Sequence, residues 1–92
     1  MLRWYVAYTK PSSEYKAQTN INAQGFTSFL PQYLKQRRHA RKTETVAAPL
    51  FPRYIFIQFD IERQQWRKLV STIGISQIVC EGDRPTPIDR KS

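Results

Sequence analysis

The reactive side chains of this sequence are few and far apart. His39 and Cys80 are the single histidine and the single cysteine among 92 residues, so the sequence holds neither a His/Cys metal cluster nor a cysteine pair for a disulfide. One free thiol is typical of a reducing cytoplasm, and we expect Cys80 to be buried and inert. The three glycines are too widely spaced for a phosphate-binding loop. The sequence therefore predicts no catalytic residue, no metal site and no cofactor, which argues against an enzyme.

The densest charge lies in the run Lys35–Lys42, where five of eight residues are Lys or Arg. The whole chain carries a net charge of +8, which favours an anionic partner: nucleic acid, an acidic protein surface or anionic lipid. Such a run is commonly a solvated loop. It also suits sequence-independent contacts to phosphates, and we favour that role, with Arg37 and Arg38 as nucleic-acid contacts. His39, inside the run, is predicted to be a solvated residue and not a metal ligand.

The aromatic signal lies in Pro49-Leu-Phe-Pro-Arg-Tyr-Ile-Phe-Ile-Gln-Phe59. After the prolines, the side chains alternate with a period of two, as in a strand. Two sets then face opposite ways, Ile55, Ile57 and Phe59 against Tyr54 and Phe56. A strand that is apolar on both faces is either covered on both sides or leaves one face for a partner. A chain this short has little material for covering both sides.

The remaining sequence supplies the elements that hold this strand. Hydrophobic periods, caps and turn residues predict the order β-α-β-β-α-β. The predicted strands are Trp4–Thr9, Phe26–Tyr33 with an interruption at Pro31, the central run Tyr54–Phe59, and Ile75–Cys80. The basic run is predicted to be a loop or the tip of a ribbon, with Thr43–Ala47 pairing back. The predicted helices run from a Ser12 cap to about Gln24, ended by Gly25, and from an Asp60 cap to Gly74. No element is expected after Glu81.

This order predicts an α+β sandwich of ferredoxin-like type, in which both helices cover one face of a mostly antiparallel four-stranded sheet. The first helix has a thin apolar stripe of Ala17 and Ile21. The second has a stronger one at helical spacing, formed by Trp66, Leu69, Val70 and Ile73. The predicted core packs Trp66, Leu69 and Val70 against Tyr5, Ala7, Ile55, Ile57 and Phe59. The other face is predicted to stay open as an aromatic platform of Trp4, Val6, Tyr8, Tyr54 and Phe56.

An open aromatic face has three explanations, and the residues alone leave all three open. It stacks unpaired bases, as in RNA-recognition modules. It docks on an apolar protein surface. Or a segment of the same protein, absent from this sequence, covers it. The N-terminus lacks the features of a signal peptide, and no stretch reaches the roughly 20 apolar residues that span a bilayer. We therefore expect a soluble, cytoplasmic protein with no membrane partner.

A family resemblance rests on several motifs that occur in a fixed order. They are Trp4-Tyr5-Val6-x-Tyr8-x-Lys10, Gly25-Phe26, Phe29-Leu30-Pro31, Pro49-Leu-Phe-Pro-x-Tyr-Ile-Phe-Ile57, Thr72-x-Gly74-Ile75-Ser76 and Gly82-x-Arg84-Pro85-x-Pro87. Together they resemble the N-terminal domain of the NusG family of transcription elongation factors, and within it the specialised RfaH-like paralogues. The resemblance covers nearly the whole chain, and the Pro-Leu-Phe-Pro-x-Tyr block is its most specific part.

The resemblance implies a binding role in transcription. Such domains bind the clamp helices of the β′ subunit of RNA polymerase and bridge to the opposite pincer in the β subunit, which suppresses pausing. The polymerase-binding positions it implies are Tyr8, Leu50, Phe51, Tyr54 and Phe56. The positions it implies for the non-template DNA strand are Lys10, Lys16, Asn20 and Gln24. The alternatives from other classes are a single-stranded RNA-binding module and a basic ribosome-associated protein.

Three positions depart from the pattern of the specialised paralogues. Gln65-Trp66-Arg67 replaces a His-Thr-Thr contact to the β subunit, Ile73 replaces an Arg, and Arg53 stands where Gly or Asn is usual. The family also normally carries a C-terminal KOW-type barrel that contacts Rho or the ribosome, and these 92 residues do not encode one. We expect residues 1–88 to form the domain and 89–92 to begin a linker.

Overall fold

Four strands form the main sheet of the computed structural model, which describes residues 1–63 and 65–88 and, within them, every side chain except that of His39. The predictions for the His39 side chain and for the tail at 89–92 lie outside this part. The elements are β1 (Arg3–Thr9), α1 (Glu14–Ala23), β2 (Thr27–Phe29), β3 (Gln32–His39), β4 (Lys42–Pro49), β5 (Tyr54–Phe59), α2 (Arg67–Val70), β6 (Ile75–Ile78), β7 (Cys80–Glu81) and β8 (Arg84–Pro85). The main sheet has the order β2-β5-β1-β6 with antiparallel pairs throughout. The predicted α+β fold class is confirmed.

The core lies on one face of this sheet, under both helices, as predicted. Ala17 and Ile21 of α1 and Leu69 of α2 are fully buried against the inward side chains of β1 and β5. The Tyr5 and Phe59 rings stack there with centroids 4.1 Å apart. Burying a large apolar side chain contributes about 1.5–3 kcal/mol, so these contacts fix which way each strand faces.

The N-cap of α1 lies one residue later than predicted. Ser13 occupies the N-cap position without a side-chain hydrogen bond to the helix, whereas Ser12 has a positive φ of 58°. The Ser12 cap is therefore wrong, because the turn after Pro11 places Ser12 in a left-handed conformation. The predicted end is confirmed, since Gln24 is the C-cap and Gly25 follows with a φ of 90°, a backbone conformation that glycine adopts without strain.

The second helix is much shorter than predicted. Asp60 Oδ1 accepts hydrogen bonds from the backbone N–H groups of Glu62 and Arg63, so this residue caps an isolated turn and not a long helix. Gln65 lies outside any helix, so α2 does not continue back to that turn. Leu69 is buried and Trp66 packs on the core.

The predicted core position of Val70 is wrong. Its exposed fraction is 46%, and that of Ile73 is 64%. Because α2 ends at Val70, the helical spacing does not continue, and Thr72 turns inward instead of Ile73. Its hydroxyl donates to the Lys68 carbonyl oxygen and accepts from Gln24 Nε2 at 2.7 Å, which binds the end of α2 to the end of α1.

The basic run is the tip of a ribbon. β3 and β4 pair along their whole length from Gln32↔Pro49 to His39↔Lys42, so of the two predicted forms the ribbon is correct and the loop is wrong. The predicted strand Phe26–Tyr33 is divided at Leu30 and Pro31 into β2 and β3. Ala40 and Arg41 make the turn, both with positive φ (49° and 67°), as the right-handed twist of a two-residue hairpin requires.

The chain after Ile78 corrects two further predictions. β7 and β8 form a small hairpin beyond the end of β6, so the expectation of no element after Glu81 is wrong. Cys80 is exposed and not buried, because it lies in this hairpin outside the main sheet. The backbone then returns to β1, where Ile88 N–H donates to the Trp4 carbonyl oxygen at 2.8 Å. In the described ranges, no helix is long and apolar enough to cross a membrane.

Candidate functional site

The face of the sheet opposite the helices carries a cluster of aromatic side chains, which we call the open face. Its members are Trp4, Val6, Tyr8, Phe29, Leu50, Phe51, Tyr54 and Phe56. Strand register brings them together, because Tyr8 lies opposite Tyr54, and Phe56 lies between Val6 on one side and Phe29 on the other. Since side chains alternate along each strand, the residues that lie between these positions in β1 and β5, namely Tyr5, Ala7 and Ile55, are buried in the core.

Neither helix packs over the open face. The exposed fractions are 57% for Phe29, 48% for Phe51, 47% for Leu50 and 38% for Tyr54. Its rings contact one another, with centroids 4.9 Å apart for Tyr8 and Tyr54, 6.3 Å for Phe51 and Phe56, and 6.4 Å for Phe29 and Phe56. Such a contiguous exposed apolar surface is uncommon on a protein that acts alone and is typical of an interaction site.

A tight turn aims Leu50 and Phe51 at the edge of this face. Tyr54 N–H donates to the Phe51 carbonyl oxygen at 3.1 Å, Pro52 occupies the second position, and Arg53 occupies the third with a φ of 71°. This is the pattern of a type II turn, whose third position favours Gly or Asn. Leu50 N–H donates to the Pro31 carbonyl oxygen at 2.7 Å, which ties the turn to the start of the ribbon.

An apolar groove of about 430 Å³ runs along the open face. The residues that line it are Trp4, Phe29, Pro31, Phe51, Phe56 and Ile88. Sequence reasoning missed Phe29 and Ile88 as members of this surface. Phe29 joins it through its pairing with Phe56, and Ile88 through its hydrogen bond to Trp4. Both depend on contacts between segments that are far apart in the chain, which a single sequence does not show.

The five polymerase-binding positions that the resemblance implies are thus brought together by the structure. Tyr8, Tyr54 and Phe56 come from the paired strands, and Leu50 and Phe51 from the turn before β5. The Tyr8 hydroxyl, as hydrogen-bond partner, raises the pKa of Tyr54 above its usual value. Tyr54 is therefore neutral at physiological pH, and its ring belongs to an uncharged surface.

The four positions implied for DNA lie on and before α1, away from the open face. Lys10 and Lys16 are exposed and line a hollow of about 420 Å³ together with the segment from Val70 to Ile75. The amides of the other two are used within the protein. Asn20 Nδ2 donates to the Lys16 carbonyl oxygen, and Gln24 Nε2 donates to the Asn20 carbonyl oxygen and to the Thr72 hydroxyl. Within the part of the chain that the structure describes, the two lysines are the members of this set whose side chains make no hydrogen bond or ion pair.

Arg37 and Arg38 lie on a different element, the ribbon. Because they are consecutive in β3, they point to its opposite faces, and their cross-strand neighbours are Glu44 and Thr43. They belong to the two-stranded sheet and not to the surface of α1. The structure therefore separates the predicted nucleic-acid contacts into two surfaces. Among residues 1–63 and 65–88, no group of three or more His, Cys, Asp or Glu residues could hold a metal ion.

Comparison with known proteins gives a consistent result. The NusG family model, described as "Transcription termination factor nusG", matches residues 2–92. The chain is 32% identical to the transcription termination/antitermination protein NusG of Thermus thermophilus, over 95% of this chain and 55% of that protein. It is 34% identical to the protein of the same name from Helicobacter pylori, over 51% of this chain and 27% of that one.

A solved structure of similar fold is that of Thermotoga maritima NusG, described as "Domain interaction in Thermotoga maritima NusG". It superposes with a TM-score of 0.70 over 99% of this chain and 52% of that one, at 22% sequence identity. This likeness concerns the fold. The chain spans about half the length of the Thermus relative and of the Thermotoga structure.

Proposed function

The chain belongs to the NusG family of transcription termination/antitermination proteins, and from that premise we propose that it is a transcription elongation factor domain that docks on RNA polymerase. The open face binds the clamp helices of the β′ subunit, with Tyr8, Leu50, Phe51, Tyr54 and Phe56 as contacts. The domain then extends toward the β subunit and suppresses pausing. A factor with these partners acts in the cytoplasm, and we propose that within the family it is closest to the RfaH-like branch.

One observation carries this proposal: the open face is apolar, contiguous and uncovered by the helices. Aromatic side chains supply much of the binding energy at protein interfaces, and charged residues are depleted at their centres. The cations of the ribbon and of α1 lie on other elements. An apolar protein surface therefore fits the open face better than a phosphate backbone does.

The direct test measures binding of the domain to RNA polymerase core enzyme. Tyr54→Ala and Leu50→Ala should each weaken binding by about 1–2 kcal/mol, because both side chains are anchors on the open face. Tyr15→Ala and Leu34→Ala are matched controls, since these exposed residues lie on α1 and on the ribbon, and they should leave Kd unchanged. Equal losses in all four variants, or none, would remove the assignment.

For DNA, we propose that Lys10 and Lys16 contact the non-template strand, with Asn20 and Gln24 beside them. Arg37 and Arg38 provide a second contact from the ribbon. Each phosphate contact adds to the steepness with which affinity falls as salt rises. The double variant Lys10→Ala/Lys16→Ala should therefore bind single-stranded DNA more weakly and with a flatter salt dependence. An unchanged slope would exclude these two lysines as phosphate contacts.

The RNA-binding alternative makes a different prediction. A stacking platform would bind a free single-stranded RNA oligonucleotide tightly in the absence of polymerase, and Tyr8→Ala would abolish that binding. Transcription across a pause site distinguishes the two functions, since a docked elongation factor shortens the pause and the Tyr54→Ala variant does not. We propose no contact to Rho or the ribosome for these residues, since the family makes such contacts through a C-terminal KOW domain.

A further inference from the structure

At one end of the open face lies a second hollow, of about 330 Å³, which we call the Arg53 notch. It is lined by Tyr8, Pro52, Arg53, Tyr54, Ser76 and Gln77. The tyrosine pair belongs to both the notch and the open face, so a partner that covers the face also reaches the notch. Unlike the apolar groove, this end carries a cationic side chain beside polar ones.

The backbone at Arg53 is in the left-handed region, with a φ of 71°. A side chain with a Cβ is strained in this region, whereas glycine is not. An arginine in such a strained position, at the rim of an interaction surface, indicates that its side chain has a role in binding. Two backbone hydrogen bonds to other elements offset this strain. Thr9 N–H donates to the Arg53 carbonyl oxygen at 2.8 Å, and Arg53 N–H donates to Glu14 Oε1 at 3.3 Å.

The Arg53 guanidinium is fixed by one hydrogen bond, and its other donors remain available to a partner. Arg53 Nε donates to the Thr9 carbonyl oxygen at 3.2 Å, which restricts the rotation of the side chain. The terminal nitrogens carry the other four N–H donors of an arginine. Within the described ranges they make no ion pair with an acidic side chain and no hydrogen bond. The hydrogen bond with Tyr8 raises the pKa of Tyr54, and the nearby positive charge of Arg53 lowers it by a smaller amount.

We propose that the Arg53 notch binds the carboxylate of an Asp or Glu side chain on the protein that docks on the open face, a role that rests on the function proposed above. A fixed guanidinium with two free terminal nitrogens matches the two oxygens of a carboxylate. Gln77 adds an amide on the exposed side of β6. A protein side chain is the occupant because the notch continues the apolar face, so one partner covers both.

The test compares wild type with Arg53→Asn, Arg53→Gly and Arg53→Lys in binding to RNA polymerase core enzyme at low and high salt. Asn and Gly tolerate a left-handed backbone, so both variants should fold, which a thermal melt verifies. We expect Arg53→Asn and Arg53→Gly to bind about tenfold more weakly, with less dependence on salt. Arg53→Lys should restore the salt dependence but not the affinity, because lysine lacks the paired donors. Arg84→Asn, which removes an exposed cation from β8, is the matched control and should change neither the affinity nor its salt dependence.

The carboxylate is then identified in polymerases whose clamp-helix Asp and Glu residues are changed singly to the amides. One such change should weaken wild type about tenfold and leave Arg53→Asn unaffected, since both remove the same contact. The carboxylate proposal would be wrong if Arg53→Asn bound as tightly as wild type, or if no acidic position of the clamp helices lost its effect in Arg53→Asn. The docking proposal would remain intact in both cases. If Arg53→Asn weakened only the binding of single-stranded DNA, the ligand of Arg53 would be a phosphate and not a carboxylate. Failure of wild type to bind polymerase would overturn both proposals.

Discussion

The two faces of the main sheet use the same strands and equally apolar side chains, yet they end in different environments. On the covered face, Ile55, Ile57 and Phe59 are 0–1% exposed under the helices. On the open face, Tyr54, one residue away, is 38% exposed. The difference arises from where α1 and α2 lie and not from hydrophobicity, since side-chain composition alone would bury both.

This contrast divides the roles of neighbouring residues. Apolar surface that folding leaves in water is available to a partner, and covering it later releases free energy to binding. The covered face should therefore determine stability, and the open face should determine docking. Variants on the two faces should separate these roles.

Ile57→Ala should give the largest loss of stability. Its side chain is 1% exposed, and truncation of such a residue costs about 2–5 kcal/mol through lost burial and a cavity. Ile73→Ala is the matched control, because Ile73 is 64% exposed and should cost less than about 1 kcal/mol. Urea denaturation of the two variants measures both values, and similar losses would contradict the division.

Gly74→Ala should come next, because Gly74 sets the distance between α1 and the segment before β6. A Cβ at this position would lie 2.9 Å from the backbone nitrogen of Ala17, and the φ is 94°. Strain and overpacking together predict a loss of about 3 kcal/mol. Gly25→Ala shares the positive φ but meets nothing within 4 Å, so it should cost about 1 kcal/mol. Equal costs in urea denaturation would mean that the close approach is not real.

Phe29→Ala should separate docking from stability. Its ring is 57% exposed on the open face, so we expect a stability change below about 1 kcal/mol and a loss of polymerase binding of about 1–2 kcal/mol. Phe26→Ala, three residues earlier, should do the reverse, since Phe26 is 8% exposed and packs on Phe59. Calorimetric melts and binding measurements on this pair would show whether the two faces act independently.

Asp60 should give the smallest effect. The amino group of Met1, 2.8 Å from Oδ2, and the N–H groups of Glu62 and Arg63 hold the pKa of Asp60 below its usual value. The charged form is favoured in the folded state, so its contribution is complete above about pH 4 and is lost as pH falls through the lower folded pKa. Asp60→Asn should therefore flatten the loss of melting temperature below pH 4 relative to wild type. Asp83→Asn, at an exposed position, should follow wild type.

The sequence predicts the strands and the open face well, because a period of two assigns every side chain to a face once a strand is identified. β1 and β5 have the predicted alternation, and Tyr8, Tyr54 and Phe56 share a face. The sequence predicts α2 poorly. Four apolar residues at helical spacing suggested a helix from Asp60 to Gly74, but α2 covers only Arg67–Val70. Beyond its end, Thr72 and not Ile73 turns inward, where it bonds Gln24.

The missed members of the site share one cause. Phe29 joins the open face through its strand pairing with Phe56, and Ile88 through a backbone hydrogen bond to Trp4. Such contacts between distant segments are not encoded in local periodicity. The position of Arg53 illustrates the same limit. Its proline turn could be identified from the sequence, but the contact of its Nε with Thr9 depends on β1 and β5 being neighbours.

Hydroxyl-radical footprinting of the unmodified domain shows whether RNA polymerase covers the open face. Mass spectrometry would compare the oxidation of each ring with and without core enzyme. We expect protection of Phe29, Phe51 and Tyr54, with Tyr15 on α1 as reactive as in the free domain. Unprotected open-face rings in the bound complex, or protection at Tyr15 instead, would contradict the account.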